Sequence, residues 1–257
     1  MVVPGDFLSK LGARYGVSYE VIAHDNGLAV EAVLKLGQVL KIDNRHIVPD
    51  GIDDGLILNV PQRMLFHFAD GELEAAYPIG VGRPSWRTPT GRFTIMIKET
   101  DKPWIVPLSI QEEMRRAGKP VVTVVQPGPD NPLGHHWLGL SLPSIGIHGT
   151  IAPASIYDFR SHGCIRLHPD DIAALFPRVE RGTPGEIIYV PLLLAEHEGR
   201  IFLEVHPDTY KKGKVTLEAA QRLAIERGLF ERIDWMLAET VIDRHEGIAR
   251  DVGLEGS

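Results

Sequence analysis

The chain holds 257 residues, 44% hydrophobic and 24% charged, enough for a domain with its own core and a small companion. A net charge of −7 excludes the basic footprint of a nucleic-acid binder and the polybasic anchor of a membrane-surface protein. The single cysteine excludes an internal disulfide, and the longest apolar run, IIYVPLLLA, is broken by Pro191 and too short to span a bilayer.

No positively charged and then apolar segment opens the chain, so no signal peptide is expected in it. Val2 and Val3 predict a short strand, and Pro4-Gly5-Asp6 a turn that caps a helix from Phe7 to Tyr15. Gly16 ends that helix. Ser18 caps a second one through Val21 and Ile22 to about Asp25, and Asn26-Gly27 stops it. VLKI closes the unit as a strand. The ordered pieces PGD, YGVS, NGL and LGQVLKI resemble a LysM module, which implies a βααβ fold that binds the glycan of peptidoglycan. Phe7 stands where the family has threonine, and residues 29–35 match poorly.

A polar linker over about 43–55 leads into strand-rich sequence. GLILNVPQRMLFHFADGELEAAYPIGVG alternates apolar and polar residues around Asp70-Gly71, a two-residue hairpin turn. TPTGRFTIMIK adds a strand, and SIQEEMRRAG a short helix supported by the Glu112–Arg116 spacing. HWLGLSL and PSIGIHGT give two more strands, Asp170 caps a helix through Ile172 and Leu175, and GEIIYV and IFLEVH are strands again. From Thr216 the pattern is helical, with Leu217, Ala220, Leu223 and Ala224 on one face and Ile233, Met236, Leu237 and Val241 on another.

The chemistry gathers around RSHGCIRL, residues 160–167. No phosphate-binding glycine loop, HExxH zinc helix or GxSxG elbow occurs. Cys164 in a polar loop is an unusual place for a buried filler, and a zinc site with His148 and His162 lacks the usual tight ligand pairs. As a nucleophile Cys164 needs a base and an orienting third group. His162, two residues away, shares a face with it on extended backbone, and His148 ends a predicted strand sixteen residues upstream. Spacing does not choose between them. His168 precedes the helix that Pro169 opens, and His135-His136 reads as a strand edge. Arg83, Arg87 and Arg92 cluster in GRPSWRTPTGR; each alone reads first as solvated surface, and together they could add to a positive cleft wall.

IHGTIAPASIYDFRSHGCIRL, with TPTGRF and NPLGHHWLGL before it, resembles the signature of the L,D-transpeptidase catalytic domain, the YkuD family, over about residues 56–191. The resemblance implies that Cys164 is the nucleophile, His148 the base and Gly149 its orienting carbonyl. In that family the position of His162 is not always histidine, so His162, with Gly163 and Ser161, supports the loop and its oxyanion-binding N–H groups. Arg166, two residues past the thiol, reads as a carboxylate clamp for the substrate, with an internal salt bridge that holds the loop as the alternative. The fold implied is a mostly β, sandwich-like catalytic domain at 46–195, after a LysM-like module at 1–45 and before a C-terminal strand and helical extension at 196–257. The activity implied takes a peptidoglycan tetrapeptide stem, releases D-alanine and passes the acyl group to an amine. That amine belongs to a second stem (a 3→3 cross-link) or to a lipoprotein, as in the ErfK/YbiS-type subgroup that DNPLGHHW resembles. Carbapenems are implied as inhibitors, with a periplasmic or cell-wall location, no metal and no organic cofactor. A hydrolase using the same thioester, and a silent peptidoglycan-binding protein, are the alternative classes.

Overall fold

The computed structural model describes residues 1–254. Two helices open it, α1 (Leu8–Tyr15) and α2 (Tyr19–Asp25). Gly16, at φ 69°, turns the chain out of α1 as a left-handed cap. Phe7, rather than Asp6, takes the N-cap position, and Asp6 instead accepts from the Val3 N–H. Ser18 sits at the N-cap of α2 but sends its hydroxyl to Glu20 and not to the helix backbone. The flanking strands of the expected βααβ order reduce to hydrogen bonds between Val2 and residues 37–38, with no extended ladder.

Then come β1 (Gly55–Asn59), β2 (Met64–Ala69), β3 (Glu72–Gly82), β4 (Gly91–Thr100), β5 (Trp104–Ile105), α3 (Leu108–Arg116), β6 (Val124–Val125), β7 (His136–Leu140), β8 (Gly146–His148), β9 (Phe159–Ser161), β10 (Ile165–Leu167), α4 (Pro169–Leu175) and β11 (Pro184–Ile188). Asp70 and Gly71, at φ 52° and 80°, form the tight β2–β3 turn that the sequence predicts. The strand order β10-β8-β7-β4-β11-β1-β2-β3-β9 closes on itself, because β3 pairs with β2 and then with β10. The closure runs through β3, whose eleven residues are long enough to change partners midway. Leu56, Leu58, Leu65, Ile79, Ile95, Ile147 and Ile165 fill its interior. Ile57, Met64, Phe66 and Phe68 point the other way and are covered by Ala13 of α1 and by Ile156 and Tyr157. Burial on both faces explains why MLFHF reads as a continuous apolar run. His168, and not Asp170, caps α4, accepting from the Asp170 N–H at 3.3 Å.

The remaining elements are β12 (Leu192–His197), β13 (Arg200–Val205), α5 (Leu217–Glu226), α6 (Trp235–Arg244) and β14 (Arg250–Asp251). The three strands form a second sheet with its own core, so the C-terminal part is α/β, and the division expected at residue 195 falls inside β12. On α6 the buried face is Ala238, Val241 and Ile242, about one residue round from the predicted stripe, so Val241 is shared while Met236 is 82% exposed. The linker over 43–55 is no free tether. His46 and Ile47 are clamped by Glu204: its carboxylate accepts from His46 Nδ1 (2.8 Å), His206 Nε2 (2.7 Å), Gln62 Nε2 (3.0 Å) and the Ile47 N–H (2.5 Å).

Candidate active site

β8 and β10 are parallel neighbours, with Ile165 opposite Ile147 and Arg166 opposite His148. Arg166 and His148 are thus side by side, and Cys164 lies immediately before β10 with its thiol 3.6 Å from the Ser144 carbonyl oxygen. His148 is buried, and its Nδ1 lies 2.7 Å from the Gly149 carbonyl oxygen. A carbonyl only accepts, so Nδ1 carries the proton and Nε2 keeps its lone pair. Burial, and then the Arg166 charge, push His148 down to about 4 against the opposing pull of the Gly149 and Leu133 carbonyls. Burial also pushes the Cys164 thiol up, while the Gly146 N–H and Arg166 pull it back.

Ser161 spans the loop before the thiol, its hydroxyl donating to the Cys164 carbonyl (2.5 Å) and accepting from the Gly163 N–H (3.1 Å). The Gly163 N–H is thereby committed to Ser161 and is not free for an oxyanion, contrary to the expectation for that residue. Gly163 itself has φ 107°, a conformation only glycine adopts without strain. Among the described residues no acid or carbonyl pairs with the Arg166 guanidinium, so an internal salt bridge does not account for it.

His162 lies elsewhere. Its Nε2 is 2.8 Å from Glu113 on α3 and 3.1 Å from Arg83, and Trp86 packs edge-on at 5.2 Å. Arg83 also pairs with Glu113, Arg87 bonds the Pro84 carbonyl, and the 90% exposed Arg92 side chain faces Glu186, so the three arginines form no common cleft wall. Sequence reading missed Glu113, which sits on an excursion between β4 and β7. Trp137 reads from the sequence as core or strand packing first and as a groove lining second. Its indole stacks on His148 (5.7 Å, 23°) over a bed of two glycines opposite each other, Gly139 and Gly146. A Cβ on Gly146 would stand 2.4 Å from the indole ring. The signal available was the aromatic beside two glycines on adjacent predicted strands.

Outside the cleft, His46, Glu204 and His206 offer ligand atoms within 4.8 Å of one another, the one such group among the described residues. Their N···O separations of 2.7–2.8 Å are hydrogen-bond lengths. The His46 ring nitrogens face Glu204 and the Gly16 carbonyl.

The model of the L,D-transpeptidase catalytic domain, YkuD, matches residues 53–187, and that of the LysM domain residues 1–43. The chain is 32% identical over 216 residues to "Probable L,D-transpeptidase YcfS" of Escherichia coli (strain K12), covering 81% of this chain and 67% of that one. It is 35% identical over 175 residues to "Probable L,D-transpeptidase YbiS" of the same organism, covering 67% of this chain and 57% of the relative. A solved L,D-transpeptidase from Mycobacterium smegmatis is 24% identical, with 52% of this chain and 57% of that chain covered at a TM-score of 0.42. The matched regions thus span about two thirds or less of these relatives. Among the described residues no helix is long and apolar enough to cross a membrane.

Proposed function

The chain belongs to the YkuD family of L,D-transpeptidase catalytic domains and carries a LysM domain, and from that premise we propose that it is a cysteine acyltransferase acting on peptidoglycan stems at the cell wall. The thiol sulfur of Cys164 attacks the carbonyl carbon at the L-centre of the third stem residue as His148 Nε2 takes the thiol proton. The developing oxyanion is met by main-chain N–H groups at Cys164 and His162. The tetrahedral intermediate collapses, the C–N bond breaks, and the imidazolium returns its proton to the leaving D-alanine amine. A thioester remains. An acceptor amine, from a second stem or a lipoprotein lysine, then attacks it and regenerates the thiol. Arg166 pairs with a stem carboxylate.

The β8–β10 register carries this proposal: it pairs Arg166 with His148 and begins one residue after Cys164, and the Gly149 carbonyl fixes the His148 tautomer. The unpartnered Arg166 in an acidic chain supports the clamp. The test uses purified muropeptides and intact-protein mass spectrometry. The wild-type protein releases D-alanine and gains one carbapenem mass at Cys164, because a strained amide carbonyl is open to a thiolate. Cys164→Ala does neither. Residual transfer near the wild-type rate in that variant would show that the nucleophile lies elsewhere.

A further inference from the structure

Tyr210 stands outside the matched catalytic region, in the connection between β13 and α5, yet it is fully buried beneath the nucleophile's loop. Its hydroxyl donates to the Gly82 carbonyl and accepts from the Thr88 N–H at 3.1 Å. Thr88, also fully buried, accepts from the Gly82 N–H (2.9 Å) and donates its own hydroxyl to the Gly163 carbonyl (2.9 Å). The carbonyl of Gly163 and the N–H of Cys164 belong to one planar trans peptide, so fixing the oxygen aims the N–H the opposite way. Tyr210 is itself held rigid. Its ring stacks on Tyr189 (5.5 Å, 19°) and meets Phe159 edge-on at 5.7 Å. Its main-chain N–H donates to the Tyr189 hydroxyl (2.8 Å), which donates to Asp208 (2.6 Å). Gly82 admits no side chain, since a Cβ there would lie 2.1 Å from the Trp86 carbonyl oxygen, and this lets the 82–88 turn fold back onto the loop.

We infer that Tyr210 is a positioning residue of the C-terminal part which, through Thr88 and the Gly163 carbonyl, aims the Cys164 N–H at the oxyanion of acyl transfer. The inference rests on the acyl-transfer reading above. Oriented donors act on the transition state and not on substrate binding, so their loss falls on kcat.

The test compares the full chain with Tyr210→Phe, Thr88→Val, both together, and Thr88→Ser, which retains the hydroxyl. D-alanine release is measured as kcat and KM, and Cys164 alkylation by iodoacetamide as a reaction with no oxyanion. Tyr210→Phe keeps the stacked ring and lowers kcat about tenfold, with KM within about twofold. Thr88→Val does at least as much, the double variant matches the larger single loss, and Thr88→Ser restores most of the rate. Alkylation stays at the wild-type rate in all. A Tyr210→Phe kcat within about twofold of wild type, losses that multiply in the double variant, or alkylation that falls in step with kcat each overturn the inference. A wild-type protein that alkylates normally but releases no D-alanine overturns the acyl-transfer reading itself, and the inference with it.

Discussion

A thiol pushed above its ordinary value beside an imidazole held near 4 rests as a neutral pair, not as thiolate and imidazolium. On the proposed acyl-transfer route, proton transfer then accompanies attack, and a His148 base works wherever that imidazole is neutral. His148 is lowered, so it is neutral above about 4 and loses its accepting lone pair only as pH falls through that value. D-alanine release should hold a plateau from about pH 5 to about 8, while iodoacetamide alkylation climbs across the same range with the thiolate fraction. An acid limb centred near 6.5, the ordinary histidine value, would mean that another group is the base. His148→Ala should cost about 10²–10⁴-fold in acylation and His162→Ala far less, since a positioned base contributes on that scale. A larger loss in His162→Ala reverses the assignment. At this scale the sequence was informative where chemistry and order coincide, in SHGC and IHG. It was silent on the roles of Glu113, 49 residues from His162, of Thr88, 75 residues from Gly163, and of Tyr210, 122 residues from Thr88, because no local spacing encodes such contacts.

The strands that hold the site are short, three residues each in β8 and β10, so their geometry depends on what leans on them. Trp137 does so from β7, filling the space over Gly146 while stacking on His148. Gly146→Ala must displace that indole. The expected cost is about 1–3 kcal/mol in chemical denaturation, with a drop in acylation as the imidazole loses its backing. Wild-type stability and rate in this variant would show that the stacking is incidental. Hairpins and helices with local punctuation (Asp70-Gly71, Gly16, the α3 and α5 patterns) could be read directly from residues. The closure of the sheet could not, because it is made by β3 meeting β10, whose Arg166 is 86 residues from its partner Gly80. The strand β12 was hidden for a related reason: LLL after Pro191 has no alternation, since Ile47 and Ala249 cover Leu193 on one side while α5 covers Leu192 and Leu194 on the other.

Three regions that read as successive modules share cores in the molecule. Ala13 of α1 packs among Phe66, Phe68 and Tyr157, and Ile47 packs with Leu193 and Ala249. Removal of residues 1–45 should therefore destabilise the catalytic sheet as well as weaken sacculus binding; unchanged melting of the remainder would contradict this. Glu204 is the common anchor. Burial pushes its carboxyl up, but the His206 and His46 hydrogen bonds and charges win and bring it down to about 2. A depressed carboxyl stabilises fully above its unfolded value of 4.5, and that contribution is lost as pH falls through about 2. Glu204→Ala should cost about 3–5 kcal/mol at neutral pH and flatten stability across that acid window. A loss under about 1 kcal/mol would mark the cluster as dispensable. Ile248 carries this fusion to the ends of the chain, lying in one core with Leu8, Val17 and Ile22, while Arg250 reaches Asp25 and Asp43. The consequence is one of timing. Helices made first cannot complete their packing until residues some 225 positions later have been synthesised, so contacts of very high sequence separation close last. In pulsed hydrogen exchange, the amides of Ile22 and Ala23 should gain full protection no earlier than those of Ala249 and Val252; early protection of the first pair would show that the N-terminal helices fold alone. A ribosome that stalls short of residue 248 would release a chain that already carries its thiol and lacks the clasp that makes it a finished molecule.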